Sequence, residues 1–333
     1  TADGMREVDN INFYLHEGPD NDIAERIDTP ICANAPAMTT GNMPADGKYL
    51  LINGEEYADF IRREPRAAKY IKRFMRGNEF IHNIPRYCLW LVGATPQELL
   101  DMPLVHERVK ACKEFRLKSS QPQLANTPHL FREQMNPASY IAIPQVSSEN
   151  RKYIPMSFLD DSLIPGDKLR IIPGATLYHF GVLTSRVHMA WMRRVGGRLE
   201  MRYSYTVEMI YNTFAWPNVS PPCLTAFNIP PCSGGTRGNE HYTRITETAQ
   251  MILDARALYP DSSLAALYDD SLMPQELRKA HEMNDRAVCD GRLLDDDHEL
   301  IGDRRQDVLD RLRQNDVPHR LELGHAEASR GLG

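Results

Sequence analysis

At 333 residues, 42% hydrophobic and 25% charged, the chain has the makeup of an ordinary soluble globular protein with room for two domains. No run of about 18 apolar residues occurs, so no membrane-spanning helix is expected, and the polar start "TADGMREVDN" lacks a signal peptide's apolar core and begins as an excised fragment would. The net charge of −6 is uneven: residues 240–333 carry 20 Asp and Glu against 12 Lys and Arg, while 101–216 carry 15 bases against 10 acids, which excludes the tail but not the front two-thirds as a nucleic-acid surface.

Residues 1–45 are rich in turn formers and have no clear period, so they read as extended or loop structure. In "NGEEYADFIRREPRAAKYIKRFMRG" (53–77), Phe60, Ile61, Ala68, Ile71, Phe74 and Met75 recur at helical spacing, with Pro65 dividing two helices. Their exposed side would carry Arg62, Arg63, Arg66, Lys69, Lys72, Arg73 and Arg76. "RYCLWLV" (86–92) is a strand candidate, and Thr95 caps a following helical stretch with Pro96 at its first position. "SYIAIPQV", "RKYIPMSFL", "KLRIIPG" and "ATLYHFGVL" predict short strands. "SRVHMAWMRRVGG" predicts a helix closed by glycine. In "RLEMRYSYT" a strand would turn Leu199, Met201, Tyr203 and Tyr205 to one face and Glu200, Arg202 and Ser204 to the other. Residues 217–239 are Pro-, Gly- and Ser-rich, as a linker would be, and helices are expected over 240–258, 274–290 and about 301–314.

Catalytic motifs are scarce. The sequence contains no G-x-G-x-x-G after a strand, no P-loop, no H-E-x-x-H and no G-x-S-x-G. Six scattered cysteines form no C-x-x-C pair, which argues against a zinc site or disulfide framework and for a reducing cytoplasm. The glycines of "CSGGTRG" could wrap an anion but sit in the linker, and the consecutive residues of "DDDHE" (295–299) point apart and suit a solvated loop better than a metal. His179 and His188 are the most central histidines, either core residues or a catalytic base. The basic run 62–76 suits phosphate contacts or a plain solvated helix face. Ser147, Ser148, Asn150, Arg151 and Lys152 offer short donors and cations to a phosphate backbone, or form a capped turn. Glu200 and Arg202 are a surface ion pair or a reading head, since Glu accepts from cytosine N4 and Arg donates to guanine O6 and N7.

Taken in order, "RYCLWLVGATPQELLDMPLVHERVKACKEFR", "NTPHLFRE", "QVSSENRKYIPMSFL", "ATLYHFGVLTSRVHMAWMRRVGGRLEMRYSYTVEMIYNTFAWP" and "MILDARALYPDSSLAALYDDSLMPQELRKAHEMNDRAV" resemble the C-terminal part of MmeI-like class I adenine-specific DNA methyltransferases over roughly residues 8–290. The resemblance implies a mixed α/β (α+β), strand-rich target-recognition domain with inserted helices, followed by a mainly helical segment. Its boundaries would be 1–47 for the trailing edge of a methyltransferase domain, 48–216 for recognition, 217–239 for a linker, and 240–333 for the helical segment with a disordered end.

The family's glycine-rich cofactor motif and N-P-P-[YF] motif find no match, so S-adenosylmethionine and catalysis are expected outside this fragment, which would itself hold no cofactor or metal. The implied partners are double-stranded DNA and an N-terminal methyltransferase domain, in a bacterial or archaeal cytoplasm, with no membrane. The family's Glu-x-Arg specificity pattern falls on Glu200 and Arg202, and further variable positions fall on Ser204, on Asp167 and Lys168, and near Gln145 or Glu149. Arg151, Lys152, Ser147, Ser148, Arg62, Arg63, Arg66, Lys69, Lys72 and Arg73 would hold phosphates. Ser204 departs from the basic residue common there, and 291–333 has no match. The alternatives are a protein-interaction module built on the acidic helical tail, or a self-contained enzyme using His179 or His188.

Overall fold

A run such as Tyr140–Pro144, apolar at almost every position, is stable as a strand only where both of its faces are covered. In a computed structural model of the chain, which describes residues 25–32, 35–217 and 236–292, that condition organises the molecule. The front half holds β1 (Thr39–Thr40), β2 (Leu51–Asn53), α1 (Gly54–Arg63), β3 (Ile71–Met75), α2 (Gly77–His82), β4 (Arg86–Leu89), α3 (Pro96–Leu100) and α4 (Pro103–Leu117). Next come β5 (Ser139–Pro144), β6 (Val146–Ser147), β7 (Ser157–Asp160), β8 (Leu163–Pro165) and β9 (Leu169–Pro173). Then follow α5 (Leu177–Leu183), α6 (Arg186–Val195), β10 (Arg198–Leu199) and β11 (Arg202–Ser204), and finally α7 (Thr236–Ala257), α8 (Leu264–Leu267) and α9 (Gln275–Arg292). The fold is thus mixed α/β, as expected.

Three small sheets share the strands, in the orders β1-β9-β5-β7, β2-β4-β3-β8 and β10-β11-β6. β5 lies between β9 and β7, both antiparallel to it. Its Ile141 and Ile143 enter the largest apolar core, and its Tyr140 and Ala142 enter a smaller one with Met75, Phe80, Leu169 and Ile171. With both faces apolar, side-chain pattern alone leaves the register of β5 open. Tyr140 helps to fix it by donating its hydroxyl to the Leu163 carbonyl at 3.0 Å.

Besides the segment 198–204 and "RKYIPMSFL", which is a strand only from Ser157, two segments depart from the expected elements. The second helix expected within 53–77 is a 3-10 turn, Pro65–Tyr70, followed by β3. β3 is held on one side by β4, antiparallel, and on the other by β8, parallel, and tertiary pairing overrides a weak local preference. "ATLYHFGVL", expected as a strand, is α5. Tyr178, Phe180, Gly181, Val182 and Leu183 are all buried there, and a helix covered all round shows no 3.6 period to read. The helix α6 does end before Gly196, but Gly196 is extended (φ −77°) rather than left-handed. A Cβ there would lie 2.5 Å from the Met192 carbonyl oxygen, so close approach is what excludes a side chain. The expected helices over 240–258 and 274–290 are present as α7 and α9. The linker, "CSGGTRG" apart from its end, "DDDHE" and the helix expected over about 301–314 lie outside the described residues.

The helical segment does not stand apart from the strands, because Ile245, Ala249, Leu277 and Val288 complete the same core as Ile141, Phe180 and Tyr205. Buried polar groups lock it there. Asp285 on α9 accepts from the Tyr153 hydroxyl at 2.6 Å and from the Arg186 backbone N–H at 2.7 Å. It thereby supplies an anion to the open N-terminus of α6, where the helix dipole favours one. Arg256 donates from Nη1 to the Met156 carbonyl at 2.6 Å, and the Tyr268 hydroxyl is 2.8 Å from His281 Nε2.

Burial lifts the Asp285 carboxyl to about 6 from its ordinary 3.8. A carboxyl raised on folding takes up a proton, so its contribution to stability is complete below about pH 4 and is lost as pH rises to about 6. Thermal melts of wild type and Asp285→Asn across pH 4–8 should therefore show wild type losing ground to the variant between pH 4 and 6. The loss should reach about 3 kcal/mol at most and stay constant above that window. A difference that does not vary with pH would refute the assignment.

Candidate functional site

The site is assembled by backbone pairing between segments far apart in sequence. β5 ends at Pro144 and the chain passes through Gln145 into β6. Gln145 donates its N–H to the Lys168 carbonyl at 3.0 Å, and its own carbonyl accepts from the Tyr205 N–H at 2.7 Å. One step further on, β6 pairs with β11, setting Tyr203 opposite Ser147 and Ser204 opposite Val146. Segments 145–152, 167–168 and 200–204, each holding residues expected to contact DNA, are thereby neighbours.

They surround a cleft of about 470 Å³ whose lining includes Gln145, Ser147, Ser148, Arg151, Lys168 and Arg202, facing Arg76, Asn78 and His82 from the end of β3 and α2. Gln145 and Lys168 also line an adjoining cavity of about 380 Å³ with Arg132, Asp167 and Arg170. On the other side, Ser148 and Arg151 line a third, of about 530 Å³, with Asn150 and Asp269–Ser271. The three share lining residues and make a trough in which six Lys and Arg are interspersed with five Asp and Glu, Glu79 and Glu133 among them. Arg151 is half-buried, and desolvation lowers its pKa, which sharpens its appetite for an anion.

The strand expected over "RLEMRYSYT" is instead a hairpin. β10 pairs with β11 so that Arg198 faces Tyr203 and Leu199 faces Arg202, leaving Glu200 and Met201 as a two-residue turn. Glu200 adopts φ +57°, the left-handed region that two-residue hairpin turns require and that normally calls for Gly or Asn. The alternation therefore holds only from Arg202 onward. Tyr203 and Tyr205 are buried as expected, whereas Leu199 and Met201 are 50% and 71% exposed at the tip. Arg198 stacks its guanidinium 4.0 Å above the Tyr203 ring and donates to the Met201 carbonyl at 3.0 Å, closing the turn. Glu200 accepts from Arg202 at 2.6 Å in an exposed ion pair.

Other expected contacts lie elsewhere. Arg62 and Arg63 pair with Asp59, Arg66 with Asp101, and Lys69 with Glu98, all on exposed surface outside the trough. Lys72 donates to the Asp161 carbonyl at 2.7 Å and Arg73 to Asn83 Oδ1 at 3.0 Å. Lys152 sits with its ammonium 5.8 Å from the Tyr153 ring centroid. Lys152, Glu149 and the half-buried Ser204 are not among the residues that line the three cavities. Asp167 is enclosed at 10% side-chain exposure, in contact with Arg76. Arg76, Arg132 and Arg170 were not singled out as readers. Arg76 closes the basic run but leaves it at the end of a strand, which helical periodicity could not reveal.

The two central histidines both make local hydrogen bonds. His188 is fully buried with Nε2 2.8 Å from the Tyr205 hydroxyl. His179 accepts the Thr176 N–H on Nδ1 at 3.0 Å, capping α5, and burial lowers its pKa to about 4. Among the described residues no group of three His, Cys, Asp or Glu could hold a metal, and no helix is long and apolar enough to cross a membrane.

Comparison with known proteins gives concordant matches. A family model described as "MmeI, target recognition domain" matches residues 18–218, and one described as "MmeI, C-terminal domain" matches 238–310. DNA methyltransferase A of Bacillus subtilis (strain 168) is 38% identical over 285 residues, which is 84% of this chain and 30% of that protein. The structure of the type IIL restriction-modification enzyme MmeI in complex with DNA aligns with a TM-score of 0.77 at 41% identity, covering 92% of this chain and 39% of that one. The chain thus spans less than two fifths of the length of these relatives.

The Glu200 turn can be tested on stability alone. Glycine is at ease at φ +57°, whereas a β-branched residue is not. Glu200→Gly should leave the melting midpoint unchanged or raise stability by up to about 1 kcal/mol, and Glu200→Val should lower it by about 1–2 kcal/mol. The reverse order in denaturant titrations would contradict the hairpin geometry.

Proposed function

The chain belongs to the MmeI family, and on that premise we propose that it reads a specific sequence of duplex DNA and aims the active site of an adenine-N6 methyltransferase carried elsewhere on the same polypeptide. The observation that supports this most is the trough. Backbone pairing brings Gln145, Lys168 and Arg202 into one cation-lined cleft wide open to solvent, with Arg151 beside them. Duplex DNA offers what such a surface can use: phosphates for cations, and base edges for side chains that are held in direction. Within it, Arg202 donates to a guanine and Glu200 accepts from the paired cytosine, Lys168 reaches a neighbouring pair, and Arg151 with Ser147 and Ser148 holds phosphate. Residues 48–216 form the recognition part and the helices α7 to α9, ending at Arg292, its support, in a cytoplasmic protein.

S-adenosylmethionine, which supplies the methyl group in such enzymes, does not suit this cleft. Its sulfonium is positive, and Arg151 and Lys168 would oppose it, while the carboxylate in the lining, Glu79, is already engaged by Arg86 at 3.1 Å. The donor is therefore assigned to the methyltransferase domain outside this chain, together with extrusion of the target adenine.

Exchanging the pair, Glu200→Lys with Arg202→Asp, should change the base tolerated at one position of the methylated motif and leave the other positions alone, as read by methylation sequencing of cells expressing the complete polypeptide. An unchanged motif would sink the assignment. Arg151→Ala should weaken binding to all duplexes alike and reduce the slope of log affinity against log salt by about one in an electrophoretic shift titration. Absence of any salt-dependent shift at low ionic strength would favour a protein-interaction module instead.

A further inference from the structure

Arg76 and Asp167 meet in the wall of the trough. Arg76 Nη2 donates to Asp167 Oδ2 at 3.1 Å, and Nε lies 2.8 Å from Oδ1. The Arg76 side chain is 36% exposed and lines the main cleft, whereas the Asp167 side chain is 10% exposed and lines only the adjoining cavity. The carboxylate is itself firmly placed. Gly166 donates to the Met75 carbonyl at 2.7 Å, and Leu169 donates to the Gly166 carbonyl at 2.9 Å. A Cβ on Gly166 would lie 2.7 Å from both Arg76 Cγ and Phe74 Cζ, so the arginine stem crosses the loop where only glycine lets it pass.

This pairing has a consequence for what Arg76 can recognise. The carboxylate at its back, which Lys168 Nζ also approaches at 3.7 Å, offsets much of the Arg76 charge, so the guanidinium gains less from a phosphate than a free one would. It keeps its remaining N–H donors, fixed in direction, and a fixed fork suits the two acceptors of a guanine edge. Holding a flexible side chain in place beforehand also lowers the entropy lost on binding.

Resting on the recognition reading above, we propose that Arg76 is a specificity-determining residue of the trough, and that Asp167 acts on specificity as a positioning residue, through Arg76 and without contacting a base itself.

The test is selection from a pool of duplexes with a randomised centre, using the complete polypeptide and its Arg76→Lys, Asp167→Asn and doubly substituted forms. Arg76→Lys keeps the charge and loses the fork. Preference at one position of the enriched motif should fall by about 10-fold, with the salt slope unchanged. Asp167→Asn should weaken preference at that same position, and the double variant should lose no more than Arg76→Lys alone. If Arg76→Lys keeps the wild-type motif but binds all sequences more weakly with a smaller salt slope, Arg76 is a phosphate contact and the proposal fails. If Asp167→Asn changes the motif further in the Arg76→Lys background, Asp167 reads a base itself and the proposal fails. Should Arg76→Lys not fold, the near-isosteric Asp167→Asn decides alone, an unaltered motif overturning the proposal. A wild-type protein that enriches no motif would sink the recognition reading and this proposal together, a result distinct from a wild-type motif that the variants leave unchanged.

Discussion

Two backbone hydrogen bonds of one residue hold the site together. Gln145 ties the 166–168 loop through its N–H and the end of the hairpin strand through its carbonyl, at 3.0 and 2.7 Å. Because main-chain atoms make these links, they fix the three segments in register whatever side chains those segments carry. The side chains there can therefore be exchanged without disturbing the scaffold that presents them. It also explains why β5 must end where it does. Gln145 occupies the step at which the chain leaves one sheet for another, and its N–H and carbonyl are free to be shared between two partners.

The rest of the molecule holds that step still. β5 is buried on both faces, so its end moves only if two cores move with it. The hairpin is carried by α6, and α6 is fastened at its first residue by Asp285 of α9. A residue 99 positions further along the chain therefore anchors the helix that leads into the hairpin. Arg116 performs a similar service at the opposite side. It is fully buried and gives all its donors to backbone carbonyls, among them Pro44 at 2.8 Å and Leu130 at 2.7 Å. A guanidinium surrounded by carbonyls costs less to bury than one left unpaired, and it joins the 44–45 loop to the 124–130 segment.

Much of this was legible in the sequence, for identifiable reasons. Thr95 with Pro96, the α4 stretch, β4, β5 and α6 carry strong local signals, and each forms as expected, including the Thr95 cap that accepts from Glu98 N–H at 3.2 Å. The failures fall where local signal is weak or misleading. β3 is a five-residue strand whose neighbours come from positions 86–89 and 163–165, so nothing within its own window marks it. α5 hides its period because it is buried all round. The hairpin was invisible because its turn is Glu-Met and not Asn-Gly, so a sequence that looks like one alternating strand doubles back. Among the candidate readers, Gln145, Ser147, Ser148, Arg151, Lys168 and Arg202 converge on one cleft, while the cations at 62–73 were drawn off by a helix period that ends at Arg63.

The two arginines that face each other across the cleft share a feature that sorts function from stability. Arg202 has Glu200 at its shoulder and Arg76 has Asp167, each carboxylate coming from a loop or turn rather than from a helix face. An exposed pair such as Glu200–Arg202 contributes little to folding, and its turn residue sits in a backbone region that disfavours it. Stability therefore gives no reason for it to be there. What such a pair does supply is a guanidinium with its direction set and its charge largely cancelled, which weakens its hold on phosphate and leaves its donors for whatever edge presents matching acceptors. Arg151, more weakly restrained, provides the complementary quality of charge without direction. A surface that separates these two duties can bind any duplex through the second kind of cation and prefer one sequence through the first.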